Sequence, residues 1–67
     1  MDKLQNNIRK IIEKNGLKIT FVIEKTGISK SHFYEIMNGQ AIPSLKNAIK
    51  ISEVLKVSLK EIFPNEF

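Results

Sequence analysis

The 67-residue chain has no cysteine and no tryptophan, two prolines, three glycines and a single histidine. Each shortage removes a class of function. Without cysteine there are no disulfides, thiolate metal sites or cysteine nucleophiles. A lone histidine makes no metal-ligand set, and no carboxylates stand at catalytic spacing to serve acid-base or nucleophilic chemistry. We therefore expect no enzyme, no metal and no cofactor. No apolar run approaches the roughly 20 residues of a membrane span, and the opening MDKLQNNIRK lacks the apolar centre of a secretory signal. The expected location is the cytoplasm. A chain of this length makes one small domain, residues 1–67, whose modest buried fraction makes association with a like chain useful. With no second domain in view, no small-molecule ligand is expected.

What is present is helical periodicity. Asp2 and Gln5 form a capping pair, and Leu4, Ile8, Ile11 and Ile12 repeat at helical spacing until Asn15-Gly16 stops them. Ile19, Val22, Ile23 and Thr26, closed by Gly27, predict a short second helix with Phe21 on another face. The third runs from Ser29 or Lys30 to about Asn38 and ends at Gly39. In it Ile28, Phe33, Ile36 and Met37 fall on one side, and Lys30, Ser31, His32, Tyr34 and Glu35 mainly on the others. Gln40 to Pro43 form a loop. Ser44 caps a fourth helix whose apolar face is Leu45, Ala48, Ile49, Ser52 and Leu55, widened by Ile51 and Val54. Ser58 and Glu61 form a capping box for a last short helix carrying Leu59, Ile62 and Phe63, which Pro64 ends. No alternating strand pattern interrupts this all-α reading.

The stretch GISKSHFYEIMNG, Gly27 to Gly39, joins a glycine turn to a serine-capped helix and a glycine stop. Together with IRKIIEKNGL before it, and IPSLKNAIKISEVL and VSLKEIF after it, it resembles the Cro and lambda-repressor type helix-turn-helix family from about Leu4 to Phe63. The resemblance implies a compact five-helix lambda-repressor-like domain in which the second helix lies across the DNA backbone and the third enters the major groove. It assigns base contacts to Lys30, Ser31 and Glu35, whose donors and acceptors match guanine, several bases and the cytosine amino group respectively. It assigns backbone contacts to Lys18, Thr20, His32, Tyr34, Asn38, Gln40, Ser44 and Lys46, and to the loop backbone up to Ser44. The implied partner is double-stranded DNA, bound by a homodimer on a near-palindromic operator, with repression the expected outcome. Val57, Leu59, Phe63 and Phe67 are the expected dimer surface, although Leu59 and Phe63 equally suit the monomer core.

Four departures from that family stand out. The usual polar pair opening the second helix is replaced by Lys18 and Ile19, Ile19 marking either a lost phosphate grip or a surface turned to another protein. Ile23 takes a place that is usually Ala, with Thr26 in place of the usual Leu. A frequent Arg and Glu pair between the first and third helices becomes Ile12 and Met37, which predicts apolar packing there. Lys56 replaces a frequent Gly, predicting a strained or altered turn. The +4 net charge, from 11 basic and 7 acidic residues, suits a polyanion. The same modest charge, with Ile19, Phe21 and Glu35, also fits a protein-interaction module on this scaffold, and salt dependence separates the two readings.

Overall fold

The computed structural model describes residues 6–65, so Asp2, Leu4, Gln5 and Phe67 lie outside it. Within the described residues the chain forms α1 (Ile8–Lys14), α2 (Ile19–Thr26), α3 (Lys30–Met37), α4 (Leu45–Leu55) and α5 (Leu59–Ile62), and no strand. Three of the starts follow from local chemistry. The hydroxyls of Ser29, Ser44 and Ser58 accept from the amides of His32 (3.3 Å), Asn47 (3.1 Å) and Glu61 (3.2 Å), each supplying one partner that the helix itself cannot.

The turn between α2 and α3 is built from two adjacent residues. Gly27 takes the left-handed conformation at φ 75°, where a Cβ is disfavoured. Thr26, buried among apolar groups, donates from its hydroxyl to the Ile23 carbonyl at 2.8 Å and accepts from the Ile28 amide at 3.2 Å. Thr26 thus gives room beside the large Ile23 and also closes the turn. Thr26→Val keeps the shape but strands the Ile28 amide, and is expected to cost about 1 to 3 kcal/mol in urea unfolding. Thr26→Ser, which keeps the hydroxyl, should cost clearly less.

Phe33, Ile8, Ile12, Ile36, Ile51, Ile62 and Val22 are the largest fully buried side chains, and every helix contributes to their cluster. α2 packs on α4, and α4 on α5. Ile12 and Met37 are both buried in that cluster, as the replacement of an ion pair by apolar groups requires.

Four expectations need correction. Helix α1 begins only at Ile8, where the Asn6 side chain accepts from the Ile8 amide at 3.1 Å. The face of α4 that turns inward is Ala48, Ile51 and Leu55, while Leu45 and Ile49 remain 57 % and 40 % exposed. Ile19 is half-buried against the core, so it offers little free surface. Phe63 is buried and closes the core beside Ile62, so it is withdrawn from the expected dimer surface, and Val57 and Leu59 are half-buried against the core.

The two asparagines before α1 tie the bundle together. The Asn6 amide donates to the Ile36 carbonyl at 2.9 Å and the Met37 carbonyl at 3.4 Å, capping the C-terminal end of α3. The Asn7 side chain donates to the Glu61 carbonyl at 2.7 Å, and its backbone amide to the Ile62 carbonyl at 2.9 Å. One short segment therefore anchors the last turns of both α3 and α5. Lys56, ending α4, sits at φ 59° and ψ 42°, the left-handed geometry that a glycine supplies, so of a strained or an altered turn the structure has the strained one.

Candidate nucleic-acid interface

Helix α3 is held by its buried side, and the geometry of that side fixes what the other presents. Phe33, Ile36 and Met37 face inward. At about 100° per residue, Ser31 and Glu35 then lie nearest the middle of the outward face, four residues apart. Lys30 and Tyr34 flank them on one side and His32 on the other. Lys30, Ser31 and Glu35 are exposed, as reading base edges requires. His32 and Tyr34 are half-buried, and Tyr34 packs against the core.

Glu35 is not isolated on this face. Its carboxylate lies 3.4 Å from His32 Nδ1, a contact of i,i+3 spacing that becomes an ion pair when the imidazole is protonated. The contact places the two side chains side by side on the exposed surface of α3. The reading of Glu35 and His32 as separate contacts misses this coupling, which the spacing alone would have revealed.

The loop after α3 is less open to DNA than its sequence suggests. The amides of Gln40 and Ala41 both turn back to the Glu35 carbonyl, at 2.8 and 3.2 Å. The backbone donors left by helix geometry are those of Leu45 and Lys46, in the first turn of α4. With the exposed Ser44 and Lys46 side chains they form an anion-favouring end. Gln40 contributes an exposed side chain only. Asn38, the C-cap of α3, accepts from Arg9 Nη2 at 3.3 Å. The polar link between the first and third helices is thus made at the surface, one step aside from the buried Ile12 and Met37. Arg9 is a cation at the edge of this region that the motif did not point to. Lys18 and Thr20, exposed at the start of α2, complete the set.

A serine-capped, outward-facing helix set by a Thr-Gly turn against a helix of equal length, with cations and free amides at adjoining helix ends, defines a helix-turn-helix DNA-binding unit. A family model described as helix-turn-helix matches residues 8–62, from the first residue of α1 to the last of α5. The chain belongs to the Cro and lambda-repressor type helix-turn-helix family, whose members are DNA-binding transcription regulators. No curated protein matches the chain significantly. None of the helices among the described residues is long and apolar enough to cross a membrane.

Proposed function

We propose that the chain is a sequence-specific regulator, acting from the cytoplasm as a homodimer on a near-palindromic operator and repressing by occluding a promoter. The observation that carries this reading is the outward face of α3, where Lys30, Ser31 and Glu35 stand exposed on a helix whose other side is fully buried. Lys30 donates to guanine, Ser31 pairs with whichever edge it meets, and Glu35 accepts from cytosine. Lys18, Thr20, Asn38, Gln40, Ser44, Lys46 and the tips of His32 and Tyr34 set the register on the backbone.

Size supports two copies. The domain measures 28 × 22 × 21 Å, shorter than the roughly 34 Å between half-sites one turn apart, so one copy reaches one half-site and a second copy reads the other. The surface best suited to join them is not the buried Phe63. It is the stripe of Ile42, Leu45 and Ile49, respectively 63 %, 57 % and 40 % exposed, which borders the phosphate-favouring start of α4. Ile49→Glu is expected to shift sedimentation to the monomer while leaving the helical spectrum unchanged.

The roles divide experimentally by titrating selected and scrambled duplexes. Lys30→Ala or Ser31→Ala should lower preference at particular base pairs by about 1 to 3 kcal/mol each, and Lys46→Ala should weaken all duplexes alike. Equal losses on both duplexes for Lys30→Ala would remove its reading role.

A further inference from the structure

A second surface lies away from the reader helix, and the DNA-binding reading makes no use of it. A groove of about 720 Å³ runs between the α1–α2 turn, α2 and the C-terminal end of α4, floored by Leu17, Phe21, Val54 and Val57. Phe21 is 44 % exposed, whereas Phe33 and Phe63 are buried. Its ring is held from one side by Lys25, whose Nζ lies 5.6 Å from the ring centroid. The groove sits at the far end of α4 from Ser44, about 15 Å along the axis at 1.5 Å per residue, so an occupant there leaves the phosphate-favouring end open.

Three charges stand on the rim: Lys25, Lys56 and Glu53. Lys56, in the left-handed region at φ 59°, ends α4 at the groove and is exposed there. Two of these three charges are cationic, so the rim favours an occupant with acidic flanks. An open groove also suits a length of chain better than an enclosed small molecule.

We propose that this groove binds an amphipathic helix of a partner protein, its apolar stripe seated on Leu17, Phe21, Val54 and Val57 and its flanking acidic side chains paired with Lys25 and Lys56. The proposal is independent of the DNA-binding reading.

The test uses two short helical peptides with leucines at i, i+3, i+4 and i+7, one flanked by glutamates and the other by lysines. Binding is followed through the backbone amide resonances of the chain. The acidic peptide should shift Leu17, Phe21, Lys25 and Val54 to Val57, and bind about tenfold or more tightly than the basic one. Phe21→Ala should weaken it by about tenfold while retaining the native spectrum, and Lys25→Glu with Lys56→Glu should reverse the preference. Equal affinity for the two peptides, no binding, or shifts confined to Ile42, Leu45 and Ile49 would overturn the proposal. So would concentration-dependent shifts of the groove residues in the absence of peptide, which would give the groove to a second copy.

Discussion

Phe33→Ala is expected to lower the urea midpoint of the chain sharply. Phe33 is fully buried on the inner side of α3, among Ile8, Ile12, Ile36 and Ile51. Removing a buried phenylalanine costs about 3 to 5 kcal/mol, from lost transfer free energy and the cavity left behind. A domain of 67 residues has about 3 to 10 kcal/mol in total, at 0.05 to 0.15 kcal/mol per residue. The loss therefore takes between about a third and all of the stability. Phe33→Leu, which keeps most of the volume, should cost about 1.5 kcal/mol or less and remain folded. Phe21→Ala, at a ring already nearly half exposed, should leave the urea midpoint almost unchanged. Comparable midpoints for the two alanine variants would contradict the assignment of Phe33 to the core and Phe21 to a surface groove.

The second large effect is the salt dependence of DNA binding. If Lys18, Lys30 and Lys46 of both protomers each neutralise a phosphate or displace its counterion, six charges act together, and affinity falls by about a thousandfold between 50 and 200 mM salt. Lys46→Ala removes two of the six and should reduce the slope of log K against log salt by about 1.8. A hydrophobic protein contact responds far less over that range. A slope near zero, with affinity retained at high salt, would favour the scaffold's use as a protein-interaction module. The groove at Phe21 would then carry its main activity.

Features decided locally were legible in the chain. The serine caps at Ser29, Ser44 and Ser58 and the left-handed Gly27 depend on neighbours within four residues, and the structure has them as the spacing implies. The inward face of α4 was misread because Leu45, Ala48, Ile49, Ile51, Val54 and Leu55 cover more than half of the helix circumference. Such a pattern fixes a helix but not its rotation, which contacts with α2 and α5 decide. The roles of Asn6 and Asn7 lay out of reach for a related reason. Their acceptors are backbone carbonyls 30 and 54 positions further on, and nothing in an Asn-Asn pair points to them. Of the candidate site, Lys30, Ser31 and Glu35 are exposed where the family motif places them. The inward-turned loop amides and the Arg9 to Asn38 link required the fold.

The central claim, that the outward face of α3 reads a DNA sequence, is tested most directly by selecting random duplex DNA with the purified protein. Titration of the winning and a scrambled duplex at two salt concentrations completes the measurement. The expected result is an enriched near-palindromic motif, bound with a strong preference that weakens with salt, and with base positions that change on Lys30→Ala. No enrichment, with equally weak binding to both duplexes, would contradict it.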